Sequence, residues 1–396
     1  MTHTVSKRVQ NIQASATVEI NALALARKAA GEDVISLAAG EPDFDTPEHI
    51  CDAGIAAIRA GETHYTQLPG IPALREAISD KFARENSLTF DPADIVVANG
   101  GKQLIYNAAL AVLNPGDNAI VIAPYWVSYV DIVKLADAEP RVVTTDPSEH
   151  FKLQPAALAA AIDERTRLIY LNSPGNPCGN VYSRNELDAL ADVLEANPHV
   201  TIVSDEIYEH LCWGEQPSLS ISAIRPALAD RTLVVNGLSK CYAMTGWRLG
   251  YAGGPSWLMR EIRKLQGQQT TNASSIAQHA AVAALNGSLD SVKAMAATYQ
   301  RRSVKALAAV NAIDGFHCDP VAGAFYLLVD GRELIHKAGL DDDVELCKAI
   351  LNTVGVACVP GTAFGAPGFV RLSYACEDTV FAEAMARIGQ YSDSLS

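Results

Sequence analysis

The chain has 396 residues, 49% hydrophobic and 19% charged, and its length exceeds what one hydrophobic core usually supports, so we expect a globular protein of two domains. Its formal net charge of −14 argues against nucleic acid or an anionic membrane as the main partner. The eight cysteines show no metal-ligand spacing, and no leader-like or membrane-spanning apolar stretch is apparent, so we predict a cytoplasmic protein without a metal site.

The first two thirds of the chain alternate short apolar strands with amphipathic helices. A helix is predicted at 22–30, and it leads through residues 34–37 into a turn-rich segment at 40–47. The alternation that follows predicts an α/β fold with a mostly parallel sheet covered by helices on both faces. The predicted strands are 95–98, 119–122, 168–171, 200–203 and 232–235, and the predicted helices are 104–113, 127–135, 186–196 and 220–229.

Beyond about residue 290 the pattern changes to that of a smaller α+β domain. A long helix is predicted at 292–313, followed by a strand at 323–329 and a helix at 343–354. Two further strands are predicted at 356–359 and 370–373. We therefore predict a large domain of residues 46–290, and a small domain in which residues 1–45 join residues 291–396.

Residues with useful chemistry follow five of the predicted strands. In open α/β sheets, ligands bind in the crevice beyond the carboxyl ends of the strands. Taken singly, each of these residues is more simply interpreted as a turn, a cap or a core side chain. Together they suit a flat, phosphorylated aromatic aldehyde, and the glycines match neither GxGxxG nor a Walker A loop. In chain order they are Gly100-Gly101, Trp126, Asn176, Asp205 with Tyr208, and Lys240 with Arg248.

The segment 237–250, GLSKCYAMTGWRLG, closely resembles the lysine signature of class I pyridoxal-phosphate aminotransferases. Over nearly its full length the chain resembles the prokaryotic aspartate aminotransferase branch of that class. The resemblance implies a type I pyridoxal-phosphate fold, a pyridoxal 5'-phosphate cofactor and transfer of an amino group between an amino acid and a 2-oxo acid. The other matching segments are 39–47, Tyr65 with 70–76, 124–129, 172–177, 204–209 and 370–375.

The resemblance also implies a role for each residue that would contact the cofactor ring. Lys240 would carry the cofactor as a Schiff base and then act as general acid–base. Asp205 would keep the pyridine nitrogen protonated, so that the ring accepts electrons. Tyr208 and Asn176 would hydrogen-bond the phenolic oxygen, and Trp126 would stack on the ring.

A second set of residues would hold the cofactor phosphate. By the resemblance, Arg248 would clamp it together with the backbone N–H groups of Gly101 and Lys102. Tyr65 would reach the phosphate from a neighbouring subunit, which implies an obligate homodimer with shared active sites. Many family members have a serine three residues before the lysine, where this chain has Gly237. Ser239 or Lys102 could supply the missing donor.

The choice of substrate depends on residues around the amino-acid carboxylates. By the resemblance, Arg371 would grip the α-carboxylate, near the backbone of Gly40 and beside Trp126 and Asn176. In this branch, enzymes that favour dicarboxylates or accept prephenate tend to carry a lysine where this chain has Gln13. The resemblance implies aspartate with 2-oxoglutarate, and because this chain lacks that lysine we keep neutral or aromatic amino acids as the alternative.

Two other functional classes stay open at this stage. A pyridoxal-phosphate β-lyase would use the same cofactor residues, because they serve any carbanion next to the ring. A regulator that only senses the cofactor would need an attached DNA-binding module. No basic helix-turn-helix pattern precedes residue 46, so an enzyme is favoured over a regulator.

Overall fold

The computed structural model describes residues 4–12, 14–213 and 218–395. Within these ranges no helix is long and apolar enough to cross a membrane. The strands are β1 (Ile35–Ser36), β2 (Ile95–Ala98), β3 (Asn118–Ala123), β4 (Glu139–Thr144), β5 (Thr166–Asn172), β6 (Thr201–Asp205), β7 (Thr232–Gly237), β8 (Gly250–Gly253), β9 (Tyr326–Asp330), β10 (Val356–Ala357), β11 (Val359–Pro360) and β12 (Phe369–Ser373).

Fifteen α-helices lie in the described part of the chain. They are α1 (Lys7–Gln10), α2 (Ala16–Ala29), α3 (Glu48–Arg59), α4 (Pro72–Lys81), α5 (Gly101–Val112), α6 (Ser128–Leu135), α7 (Pro155–Ala161), α8 (Arg184–Glu195), α9 (Ile221–Ile224), α10 (Ser256–Gln269), α11 (Ser275–Asn286), α12 (Asp290–Asn311), α13 (Arg332–Lys337), α14 (Asp343–Val354) and α15 (Asp378–Asp393).

The main sheet has seven strands in the order β2-β8-β7-β6-β5-β3-β4. The strands from β7 to β4 are all parallel, whereas β8 runs antiparallel to both β2 and β7. Every residue of β2, β6 and β7 is buried, as expected for strands covered by helices on both faces. The predicted α/β class with a mostly parallel sheet is therefore confirmed.

Apolar clusters cover both faces of this sheet. On one face, residues of α5, α6 and α10 pack against alternate residues of the strands, such as Val96 and Val235. On the other face, the intervening residues, such as Val97 and Val234, pack against α3, α4 and α11. The helices thus hold the strands rigidly, so that the carboxyl ends of the parallel strands meet at one fixed edge.

The C-terminal part forms a second, smaller sheet with strand order β11-β12-β9, all antiparallel. The N-terminal segment joins this part of the molecule, because Ile35 and Ser36 pair with Val356 and Ala357 in a two-stranded parallel ladder. This pairing agrees with an N-terminal segment that belongs to the small domain. The boundaries at residues 46 and 290 stay a prediction.

Two predicted elements were wrong in detail. The predicted helix at 220–229 is broken into α9 and a 3-10 helix, Pro226–Arg231, because Pro226 has no N–H to continue the α-helical bonds. The predicted strand at 356–359 divides into β10 and β11, which belong to different sheets. Two strands were not predicted: β4 is a partly exposed edge strand, and β8 begins and ends with glycine.

Candidate active site

A cavity of about 400 Å³ opens beyond the carboxyl ends of the parallel strands, between the main sheet and the smaller one. Its size suits a small molecule with one aromatic ring. Tyr65 does not line the cavity, and its side chain is 90% exposed. The other sequence-predicted site residues all line it, namely Gly40, Gly101, Lys102, Trp126, Asn176, Asp205, Tyr208, Ser239, Lys240, Arg248 and Arg371.

Lys240 lies in the loop after β7, and its Nζ donates a hydrogen bond to the backbone carbonyl of Gly40. The ammonium group lies 5.8 Å from the ring centres of both Tyr208 and Phe325. Burial lowers the pKa of Lys240 to about 8, although the nearby carboxylate of Glu41 opposes the shift. A neutral, nucleophilic amine is therefore accessible near physiological pH.

Asp205 is the last residue of β6, and its carboxylate is buried. Its Oδ2 accepts a hydrogen bond of 2.7 Å from the hydroxyl of Tyr129, and its Oδ1 accepts the backbone N–H of Ile207 at 3.3 Å. Burial raises the pKa of Asp205 to about 6, while the hydrogen bond from Tyr129 acts in the opposite direction. The carboxylate is thus mainly ionised at neutral pH, deep in an apolar environment.

Two tyrosines meet at the small-domain side of the cavity. The hydroxyl groups of Tyr208 and Tyr326 lie 3.0 Å apart, and both residues line the cavity. Tyr326 was not predicted, since it belongs to β9, more than 100 residues from Tyr208, and no local motif marks it. Tyr129 lies in a segment that matches the family, but no role was predicted for it.

Arg371, on β12, is a buried guanidinium without an acidic partner. Only 2% of its surface is exposed, and no carboxylate of the described residues lies within ion-pair distance. It donates to the carbonyl of Ala38 at 2.9 Å and to Oδ1 of Asn176 at 3.1 Å, while its Nε has no hydrogen-bond partner. A buried charge of this kind is costly unless a ligand supplies the opposite charge, so the surroundings of Arg371 suit a carboxylate ligand.

Arg371 is also clamped between aromatic rings. Its guanidinium carbon lies 4.4 Å from the ring centre of Tyr326 and 4.8 Å from that of Phe364. The rings hold the guanidinium plane in one orientation and supply cation–π attraction. The unpartnered Nε adds a donor beyond those that Ala38 and Asn176 occupy.

The turn that opens α5 forms a cradle for an anion. Gly100 has a φ of +88°, and a Cβ there would lie 2.8 Å from Nη2 of Arg248. Gly101 starts the helix, so its N–H and that of Lys102 have no acceptor within the helix. Arg248 has a left-handed φ of 54°, which is uncommon for a non-glycine residue. Backbone donors, the helix end and a guanidinium therefore converge at one point.

Lys102 adds a second cation to the cavity. Its Nζ lies 4.8 Å from the ring centre of Trp126. Burial lowers the pKa of Lys102, and the positive charge of Arg248 lowers it further. Among the described residues neither cation forms an ion pair with a carboxylate, which is the arrangement expected of an anion site.

The two positions at which the sequence departs from the family pattern have different outcomes. A Cβ at Gly237 would lie 3.0 Å from Cδ1 of Ile207, so this position has little room for a side chain, whereas Ser239 lines the cavity. Gln13 lies outside the described residues. The helix that follows it, α2, contributes Thr17 and Asn21 to the cavity wall, so the N-terminal segment does border the substrate space.

Comparison with known proteins agrees with this geometry. The sequence profile of the family "Aminotransferase class I and II" matches residues 32–388. The chain is 46% identical over 390 residues to an aspartate/prephenate aminotransferase of Nitrosomonas europaea, covering 97% of this chain and 98% of that protein. The chain belongs to the class I and II aminotransferase family.

Solved structures of aminotransferases share the whole fold. The crystal structure of the aspartate aminotransferase from Rhizobium meliloti superposes with a TM-score of 0.95 at 42% identity, covering 100% of both chains. The aspartate aminotransferase from Thermus thermophilus, solved with maleate, has a TM-score of 0.92 at 41% identity, covering 98% of this chain and 100% of that one. The predicted type I fold and transaminase class are thereby confirmed.

Members of this family depend on pyridoxal phosphate, and the residues of this aminotransferase fit that group. The cavity offers a lysine with a lowered pKa, a buried carboxylate and an aromatic side chain, in Lys240, Asp205 and Trp126. It also offers a cradle of backbone donors at Gly101 beside Arg248. These groups match an aldehyde, a ring nitrogen, a ring face and a phosphate respectively.

Proposed function

We propose that this enzyme transfers an amino group from aspartate to a 2-oxo acid such as 2-oxoglutarate, in two half-reactions that share one site. The observation that carries the proposal is that one cavity holds Lys240, Asp205 and two guanidinium groups that have no acidic partner within residues 4–12, 14–213 and 218–395. One guanidinium suits a cofactor phosphate and the other a substrate carboxylate. The names of the most similar relatives favour aspartate over a neutral or aromatic donor.

Pyridoxal phosphate, when bound, supplies the aldehyde that takes up the amino group and the ring that withdraws electrons from the substrate Cα–H bond. Lys240 holds the cofactor, and its Nζ removes and returns the proton at the substrate Cα. Asp205 holds a proton on the ring nitrogen through an ionised carboxylate. The hydroxyl of Tyr208 and the amide of Asn176 orient the ring from the side of its phenolic oxygen.

Different residues of the cavity would bind the phosphate and the α-carboxylate. Arg248 and the N–H groups of Gly101 and Lys102 receive the phosphate, with Ser239 alongside. Arg371 receives the α-carboxylate, and Gly40 offers its backbone nearby. Trp126 would cover one face of the ring and exclude water from the reacting atoms.

Lys102 is the best placed cation in this cavity for the distal carboxylate of aspartate. Its ammonium group is partly buried above Trp126, and it forms no ion pair among the described residues. The Thermus thermophilus relative was solved with maleate, a dicarboxylate. Lys102 thus offers a partner for a second carboxylate without the lysine that Gln13 replaces.

The active site is completed by a second copy of the chain in this proposal. A groove of about 850 Å³ adjoins the cavity, shares Lys102 and Arg248 with it, and is bordered by α2 and α5. Tyr65 is 90% exposed on its own chain and could reach such a groove on another. The cytoplasmic location expected from the sequence remains part of this proposal.

A panel of amino acids tests the substrate assignment. Each donor is mixed with the holoenzyme, and conversion of the bound cofactor to its pyridoxamine form is followed by absorbance. We expect aspartate to react with the highest second-order rate constant, followed by glutamate. A faster reaction with phenylalanine or alanine would contradict the assignment to aspartate, but not the transaminase class.

The same experiment separates a transaminase from a β-lyase. A transaminase leaves the amino group on the cofactor and forms one equivalent of 2-oxo acid, whereas a lyase releases ammonia and regenerates the starting spectrum. Borohydride reduction and peptide mapping should place the trapped cofactor on Lys240. A label on another lysine would overturn the assignment of the site.

A further inference from the structure

A buried tyrosine, Tyr129, connects the catalytic carboxylate to the core of the large domain. Its hydroxyl donates the 2.7 Å hydrogen bond to Oδ2 of Asp205. Apart from the backbone N–H of Ile207, at 3.3 Å, no other donor of the described residues contacts this carboxylate. The strongest hydrogen bond to Asp205 in this structure therefore comes from a residue outside the cavity.

The ring of Tyr129 is held in place by two other aromatic rings. It stacks on Tyr170 with ring centres 4.6 Å apart and an angle of 8° between the planes. It also meets the edge of Trp126 at 5.3 Å. Tyr129 is only 2% exposed, so the surrounding groups restrict the movement of its ring while its hydroxyl donates to Asp205.

Tyr129 can act only as a donor to this carboxylate. Burial raises the pKa of Tyr129 well above its usual value, so the phenol keeps its proton at any pH at which the enzyme works. The other titratable groups that face Asp205 are Lys240, from the loop after β7, and Tyr208, from the loop after β6. Among the described residues, Tyr129 is the one hydrogen-bond donor to Asp205 that does not itself line the cavity.

We propose that Tyr129 is a positioning residue that fixes the orientation of the Asp205 carboxylate and keeps it ionised against its own burial. The hydrogen bond stabilises the charged form of Asp205. The stack on Tyr170 holds the ring of Tyr129 in place, and its hydroxyl in turn holds the carboxylate in its orientation towards the cavity. The inference rests on the proposed role of Asp205 as the partner of the cofactor ring nitrogen. It adds a residue that acts on the cofactor only through Asp205.

The adjacent tyrosine provides a matched control. Tyr170 is equally buried and belongs to the same stack, but its hydroxyl has no hydrogen-bond partner among the described residues. Tyr129→Phe and Tyr170→Phe each remove one oxygen and keep the ring. Only the first removes a contact with Asp205, so a difference between the two variants reports that hydrogen bond.

The experiment measures how tightly each apoenzyme binds pyridoxamine phosphate between pH 5 and pH 8. This probe has the ring nitrogen and the phosphate of the cofactor but cannot form a covalent bond with Lys240. We expect Tyr129→Phe to weaken binding about tenfold at pH 7, as removal of one charge-assisted hydrogen bond predicts. The pH midpoint of binding should rise by about one pH unit, because Asp205 then ionises less readily. Tyr170→Phe should stay within about twofold of the parent enzyme, with an unchanged midpoint.

A double-mutant cycle separates this inference from the function on which it rests. Asp205→Ala should weaken binding of the probe, and Tyr129→Phe should add nothing in the Asp205→Ala background. If Asp205→Ala weakens binding but Tyr129→Phe behaves like Tyr170→Phe, the positioning role is overturned while the role of Asp205 stands. If Asp205→Ala has no effect, both fail. Thermal unfolding of the apoenzymes checks that the two phenylalanine variants fold equally well.

Discussion

Arg371 allows the carboxylate assignment to be tested against a purely structural role. Arg371→Met removes the charge and keeps much of the volume between the rings of Tyr326 and Phe364. If the guanidinium binds the substrate carboxylate through two charge-assisted hydrogen bonds, their loss costs about 3–6 kcal/mol in the transition state. We therefore expect kcat/KM for aspartate to fall by roughly a hundredfold to ten thousandfold.

The stability of the ligand-free protein should change much less. Arg371→Met loses two hydrogen bonds, to Ala38 and Asn176, but also removes a buried charge that has no acidic partner among the described residues. Each of these effects is worth a few kcal/mol, and they act in opposite directions. We expect the free energy of unfolding, measured in urea without cofactor, to stay within about 2 kcal/mol of the parent value.

Arg302 is a suitable comparison, because it also packs against two aromatic rings but does form an ion pair. Its guanidinium lies 2.8 Å from Asp43 and within 6 Å of the rings of Phe44 and Tyr299. Arg302→Met should lower stability, since Asp43 loses the cation of its ion pair, and should change kcat/KM less than tenfold. The reasoning is refuted if Arg371→Met lowers stability by more than about 4 kcal/mol while kcat/KM stays within tenfold.

Three further predictions concern cofactor binding. The rate at which apoenzyme takes up pyridoxal phosphate should rise with pH, with a midpoint near pH 8. Burial lowers the pKa of Lys240 to about 8, and only its neutral amine attacks the aldehyde. A rate that stays constant from pH 6 to 9 would contradict this prediction. Gly100→Ala should weaken binding of pyridoxal phosphate about tenfold or more but leave binding of pyridoxal nearly unchanged. The reason is that φ at Gly100 is +88° and the new Cβ would lie 2.8 Å from Arg248. If binding titrations show that both ligands are weakened equally, the defect does not lie at the phosphate. Mixing Tyr65→Ala and Lys240→Ala subunits should restore activity, since one of the two active sites of each mixed dimer keeps both residues. Native mass spectrometry checks that the subunits have exchanged. If activity does not increase after exchange, the active sites are not shared between subunits.

Much of the main sheet follows from local sequence patterns. Strands such as β2 and β7 are buried on both faces, so their continuous apolar runs are recognisable without knowledge of the fold. The edge strand β4 and the glycine-bounded β8 lack that pattern, and only pairing with neighbours makes them strands. The splitting of 356–359 has the same origin, because its two halves pair with different partners.

The cofactor side of the site is similarly predictable. Asp205 and Lys240 come directly after strands that run parallel, and the carboxyl ends of such strands meet at one edge of the sheet. Their position at the carboxyl ends of these strands therefore places both side chains in one crevice. Gly101 follows β2. Because β8 runs antiparallel to both β2 and β7, these two strands point in the same direction, and Gly101 therefore lies at the same edge of the sheet.

The amino-acid sequence by itself determined the class of fold and the family, and it predicted the cofactor residues, because these depend on short motifs and on the periodicity of apolar residues. Only the tertiary structure decided that Arg371 has no acidic partner in the part of the chain that the structure describes, that the hydroxyl of Tyr326 lies beside that of Tyr208, and that Tyr129 hydrogen-bonds Asp205. Each of those facts concerns contacts between residues that are distant along the chain. Each depends on which side chains become buried next to one another. Burial and pairing of that kind arise from packing, which no local pattern of residues encodes.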